Sequence, residues 1–179
     1  MYLLPSLFPI ISLCVLSLTF RFYNKNLGIS IIFFSFIISL LSCLFITYEV
    51  IYLNSVCYID FAPWFKIGSF AIYWSFYFDK LNTIMLLIVI CISFCVHLFA
   101  IDYLSHDPHL PRFLLLLYTF TIFMQILVTS GNLIQLFLGW EGIGLMSYLL
   151  INFWFTRYEA TNSGLMAIIY NRVGDCDLF

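Results

Sequence analysis

Polar positions in this chain are few and fall at intervals, separating long apolar runs. A transmembrane helix needs about 20 apolar residues, at ~1.5 Å rise each, to cross a hydrocarbon core ~30 Å thick. Residues Tyr2–Phe20 are uncharged and predict a first span, with Pro5 and Pro9 in its outer half. The polar segment Arg21–Asn26 predicts a tight loop, and Leu27–Tyr48 a second uncharged span. A third is expected over Leu81–Ile101, broken in polarity only by His97 and a few hydroxyl or amide side chains. Phe113–Trp140 carries no charge and is too long for one crossing, and Ser130-Gly131-Asn132 punctuates it with turn formers. This predicts a fourth span at Phe113–Thr129 and a fifth at about Asn132–Phe155. A sixth begins near Ala160 and runs into the end of the sequence.

Between Glu49 and Lys80 the pattern changes. Phe70–Phe78 is dense in β-branched and aromatic residues, Cys57–Phe61 precedes it, and Pro63 and Gly68 lie between. That is a hairpin signature. An isolated two-stranded ribbon is marginal in water, so this one should lie against the membrane domain or a partner. The expected fold is an all-α polytopic membrane protein of about six transmembrane helices with an extramembrane β-hairpin. Helices one and two fall in 1–48, the hairpin loop in 49–80, and helices three to six in 81–179.

Composition agrees. Apolar residues make up 64% of the 179 and aromatics 21%, while charged residues are 9%, against about 25% in soluble domains. Seven Lys plus Arg against nine Asp plus Glu give a net charge of −2. A soluble enzyme, a disordered tail and a nucleic-acid-binding module are thereby excluded. The six cysteines form no Cys-x-x-Cys pair and have no His at zinc-ligand spacing, so they read as small apolar side chains in the bilayer. Met1-Tyr-Leu-Leu-Pro5 lacks a basic segment and a cleavage site, so no removable signal is expected. With the N-terminus outside, Arg21, Lys25, Arg112 and Arg157 fall on the inner side, and only Lys66 and Lys80 outside. Short-loop cations therefore favour N-terminus out, with cytoplasm or mitochondrial matrix inside.

Charges inside the spans carry the candidate chemistry. Glu141 is about the tenth residue of the fifth span, roughly 15 Å along its axis and near mid-bilayer. A carboxylate there costs several kcal/mol unless it is paired, hydrated or protonated. As its partner or hydration changes it can bind and release a proton, which a proton relay requires. The alternative is a permanently protonated acid bonding a neighbouring helix. Gly139, Gly142 and Gly144 crowd around it and admit close approach of a helix or water. Gly144, Leu145 and Tyr148 share the Glu141 face; Tyr148 either extends a hydrogen-bonded path or packs. Arg172 and Asp175 stand i,i+3 on the sixth span. They form either an ion pair fixing the helix or a carboxylate in the proton route tuned by its arginine. Asp177 points to another face. His97 is a lone histidine, read first as a packing or helix–helix hydrogen-bonding residue and second as a proton shuttle. His106 and His109 sit in a proline-bearing loop with too few ligands for a metal. No phosphate loop, nucleophile elbow or haem-ligating pair is present, so no cofactor and no metal is expected in this chain.

Three segments together resemble a known family: Leu104–Phe113 (LSHDPHLPRF), Gly139–Arg157 (GWEGIGLMSYLLINFWFTR) and Asn171–Asp175 (NRVGD). They are similar to the NADH dehydrogenase subunit 5 family, the distal antiporter-like subunits of respiratory complex I, and Trp64–Ser69 with Trp74–Asp79 resembles that family's hairpin. The resemblance covers about residues 60–176, with the first two spans alike in pattern only, and its wording is closer to mitochondrial than bacterial members. It implies proton translocation coupled to NADH-to-ubiquinone electron transfer, with FMN, iron–sulfur clusters and ubiquinone elsewhere in the complex. It also implies a multi-pass protein of the mitochondrial inner membrane, N-terminus on the intermembrane-space side. The family's helix-five glutamate matches Glu141 and works with a lysine on helix seven; its helix-six arginine and aspartate match Arg172 and Asp175. Asp177 stands where the family usually has a small residue. The family protein is several times longer, with two inverted five-helix repeats, and this sequence stops inside the first. The expectation is a split subunit, with a separate chain supplying the remainder and the lysine, beside the antiporter-like subunit 4 and lipid. Without that chain no catalytic activity is expected. Two rivals are a structural or assembly subunit that has lost pumping, and a cation/proton antiporter subunit. The retained Glu141, Arg172 and Asp175 weigh against the first, and the loop Ser105–Arg112 against the second.

Overall fold

The apolar runs become helices and the aromatic, β-branched stretch becomes a hairpin. The computed structural model describes residues 2–22, 25–68 and 70–178, with backbone alone for 19–22, 25, 67, 70, 177 and 178. Six helices and two strands follow in order: α1 (Leu4–Phe22), α2 (Lys25–Tyr52), β1 (Cys57–Ile67), β2 (Phe70–Phe78), α3 (Lys80–Tyr103), α4 (Leu110–Val128), α5 (Leu133–Ile151) and α6 (Tyr158–Leu178). The side chains of Arg21, Lys25 and Asp177, on which the orientation argument and the end of the sixth span bear, lie outside the described residues.

Among the described residues, four helical stretches are long and apolar enough to cross a membrane: Asn26–Tyr52, Lys80–Tyr103, Leu110–Val128 and Leu133–Ile151. The apolar part of α1, Leu4–Leu18, is shorter. Although α6 has 21 residues, Glu159, Arg172, Asp175 and Asp177 dilute its hydropathy. The expected six spans are thus six helices, four of them apolar enough to cross unaided.

Two boundaries differ from expectation for physical reasons. α2 continues past Tyr48 to Tyr52, so Glu49 is helical rather than part of the hairpin loop. It stops where Asn54 adopts φ 51°, a left-handed conformation asparagine tolerates. α5 ends at Ile151, four residues before the expected Phe155. The aromatic run after it turns instead, with Phe153 N–H donating to Leu150 O (3.3 Å) and Arg157 N–H to Trp154 O (3.0 Å). Large aromatics suit the membrane–water boundary as well as the hydrocarbon interior, and apolarity alone does not separate the two.

Contacts run sequentially, α1 on α2 through α5 on α6, and α1 also meets α4. The four helices α1–α4 therefore enclose the core, where Leu16, Ile32, Phe36, Leu86, Ile90 and Leu114 are fully or almost fully buried. Tyr118 of α4 ties three helices together at its hydroxyl, which bonds Ser12 of α1 and Ser35 of α2.

The hairpin is antiparallel, with its register broken around Pro63, which lacks an amide proton for the ladder. It docks on the α4–α5 turn, as the marginal stability of a lone ribbon requires. Tyr77 N–H donates to Thr129 O (3.0 Å) and Gly131 N–H to Ser75 O (3.2 Å). The Gln135 side chain accepts from Ser75 N–H (3.0 Å), and Asn132 donates to Tyr73 O (2.7 Å). Gly131 suits this close seat, because a Cβ would press on the Ser75 hydroxyl and the Tyr58 ring. Gln135→Leu strands the buried Ser75 N–H, an expected loss of ~1–3 kcal/mol. Limited proteolysis of the assembled protein should show faster cleavage within residues 57–78, and unchanged cleavage would contradict the anchoring role.

Candidate functional site

Glu141 is the ninth residue of α5, about 12 Å from its start at 1.5 Å per residue and so near the helix centre. Three glycines hold α5 against its neighbours there: Gly139, Gly144 and Gly142, the last packed on the Phe123 ring of α4. A Cβ on Gly139 would lie 2.9 Å from the Leu127 backbone of α4, and one on Gly144 would lie 2.9 Å from Asn171 Nδ2 of α6. α6 is brought alongside α5 by the short turn between Ile151 and Tyr158.

This packing gathers three charges. Arg172 Nη1 donates to Glu141 Oε1 at 2.6 Å, and the same Nη1 lies 3.6 Å from Asp175 Oδ2. One guanidinium thus serves two carboxylates from two helices. The i,i+3 pairing expected within the sixth span exists, but it is the longer contact; the shorter one crosses to α5. A crevice of about 80 Å³ borders the cluster, walled by Gly144, Leu145, Ile168 and Asn171. Asp175 is 10% exposed, Glu141 31% and Arg172 67%, so the cluster is open on the arginine side. Asp175 Oδ1 is buried and has no partner among the described residues. With both acids ionised the cluster carries one net negative charge, and a single proton shared between them makes it neutral.

The other candidates lie apart from it. Tyr148 packs its ring on Gly164 of α6, and its hydroxyl accepts from Asn152 Nδ2 at 3.4 Å, away from Glu141. His97 is fully buried on α3, its Nδ1 2.7 Å from Ser93 O, against Phe36 and Tyr118. The nearest cation to Glu141 among the described residues is Arg172 rather than a lysine. No group of three or more His, Cys, Asp or Glu among them is arranged for a metal. Sequence reasoning missed Asn171, which stands one turn before Asp175 on the same face of α6; its i,i+4 spacing was the available signal.

The chain resembles known membrane proteins over most of its length. Residues 64–114 match the family model for the N-terminus of chain 5 of NADH-ubiquinone oxidoreductase (complex I). Residues 130–179 match the model for the transmembrane region of NADH:quinone oxidoreductase and Mrp antiporters. Over all 179 residues the chain is 49% identical to NADH-ubiquinone oxidoreductase chain 5 of Acanthamoeba castellanii. It belongs to the NADH-ubiquinone oxidoreductase chain 5 family. The chain 5 proteins of Marchantia polymorpha and Arabidopsis thaliana are 46% and 45% identical over 99% of it. The chain spans only 26% of the Acanthamoeba chain 5 and 27% of the other two. Among solved structures, a chain of the membrane-bound sulfane sulfur reductase, an archaeal respiratory membrane complex, shares the fold with a TM-score of 0.79. That match is 17% identical and covers 94% of this chain and 33% of the other. Chain 5 relatives are thus similar to this sequence along its whole length, and the fold extends to an archaeal respiratory membrane assembly.

Proposed function

We propose that the chain provides the opening helices of a proton-translocating membrane subunit of NADH:ubiquinone reductase, with Glu141, Arg172 and Asp175 as its proton-handling cluster. The observation that carries this reading is the single arginine held between two acids on adjacent helices, beside the middle of the apolar helix α5. Inside hydrocarbon such a set is costly, and intramembrane charge of this kind marks ion or proton paths. Identity to chain 5 proteins along the whole chain supports the assignment of the complex.

In the mechanism, Arg172 keeps one carboxylate charged while the other takes the proton. A cation approaching Glu141 from elsewhere in the subunit draws the proton off, and its withdrawal lets the proton return. A lysine on a following helix is that cation, and the open arginine side of the cluster is where it approaches. The remainder of the subunit supplies that lysine, as a separate polypeptide or as further sequence of the same one. Its neighbours are the antiporter-like subunit 4 and lipid. FMN, iron–sulfur clusters and ubiquinone belong to other subunits, and this chain contributes no catalysis by itself. The setting is the mitochondrial inner membrane, with the N-terminus on the intermembrane-space side. Tyr148 and His97 stand outside the proton path in this reading.

Native electrophoresis of gently solubilised membranes tests the assignment. The chain should migrate with NADH:quinone reductase activity, and recovery only in particles unable to oxidise NADH would overturn it. Intact-mass measurement of the same particle separates a split subunit from a single long one.

A further inference from the structure

The α1–α4 core contains polar atoms that the Glu141 cluster does not use. Gln125 of α4 is 1% exposed, yet neither its amide oxygen nor its amide nitrogen has a hydrogen-bond partner among the described residues. His97 is fully buried, and its Nε2 is likewise unpartnered. The His97 Nδ1 contact is with a backbone carbonyl, which only accepts, so Nδ1 carries the proton. Nε2 of the neutral ring must then accept from a donor. The Tyr118 ring stands edge-on to His97, but its hydroxyl is engaged by Ser12 and Ser35.

Gln125 and Tyr118 are seven residues apart, two turns, and so share one face of α4. That face points away from the proton cluster. Phe123 and Leu127 are the α4 residues that meet Gly142 and Gly139 of α5. Gln125 lies two positions from each, about 200° around the helix. The shared face looks into the core, where the Tyr118 hydroxyl meets Ser12 of α1 and Ser35 of α2, and where Ser39 of α2 and Thr121 of α4 are also buried. These serines and Thr121 bond carbonyls of their own helices. They leave the Gln125 amide and the imidazole unsatisfied.

The unmet demand is mixed. A primary amide needs both a donor and an acceptor, whereas the imidazole nitrogen needs a donor. Water meets both demands, and buried polar groups without protein partners are where internal waters bind. We propose that the α1–α4 core holds a buried hydrated seam, with ordered water bound at the Gln125 amide and at His97 Nε2, on the face of α4 opposite the Glu141 cluster.

A density map of the assembled membrane complex, at a resolution that shows water, tests this. The expected result is a water oxygen within about 3.2 Å of a Gln125 amide atom and another at the same distance from His97 Nε2. A dry core, or one in which both side chains reach protein partners, overturns the proposal. In a Gln125→Met complex, similar in volume, the density beside residue 125 should vanish while that at His97 stays. Water persisting beside the methionine would overturn the assignment of that site to the amide. If the variant does not assemble, the wild-type map alone decides.

Discussion

A complex carrying Glu141→Gln assembles in near-normal amount but loses most of its coupled proton translocation. The amide oxygen can still accept from Arg172 Nη1, and Asp175 still faces the same guanidinium. Glu141 is 31% exposed and Arg172 67%, so the structural loss is ~1 kcal/mol or less. The carboxamide cannot bind and release a proton, and removing an acid–base group from its step lowers the rate by about tenfold or more. Proton uptake measured against NADH oxidation in reconstituted vesicles gives the readout. Poor assembly with normal pumping in the surviving complex would mean that Glu141 is a structural acid.

Gly139→Val has the opposite profile: assembly fails first. The atoms nearest an added Cβ are Leu127 N, Cα and Cβ, each at 2.9 Å, so most of the obstruction is backbone rather than a movable side-chain end. α4 and α5 must separate, at an expected cost of ~1–3 kcal/mol. Two structures depend on that contact. The hairpin is anchored on the α4–α5 turn, and Glu141 lies two residues beyond Gly139. Thermal unfolding or yield of the intact complex on native gels reports the effect. A fully assembled Gly139→Val complex of unchanged stability would show that this close approach is not required.

Much of this was legible in the residues. Uninterrupted apolar runs located α2 to α5, because a bilayer tolerates little else, and β-branched and aromatic density located the hairpin. Arg172 and Asp175 announced a charged patch on the last helix, and Glu141 an acid within the apolar span before it. What could not be read was the cross-helix preference. Periodicity fixes which residues share a face of one helix but not how α6 rotates against α5. That rotation depends on Gly144 admitting Asn171, and it decides that Arg172 lies nearer Glu141 than Asp175. Likewise Gln125 and Gln135 are both polar residues within apolar runs, and only tertiary packing gives them separate roles. Gln135 completes the hairpin anchor, whereas Gln125 faces the core of the first four helices.

The hairpin's anchor has a consequence for biogenesis. Ser75 and Gln135, which pair across it, are 60 residues apart. At about 5–20 residues per second of synthesis, roughly 3–12 s separate the two. During that interval two aromatic strands wait at the membrane surface without their dock, until α3 and α4 have been made and the chain has turned back. An insertase or chaperone that shields a short sheet edge over those seconds would raise the yield, and slowed translation between codons 80 and 135 would lower it.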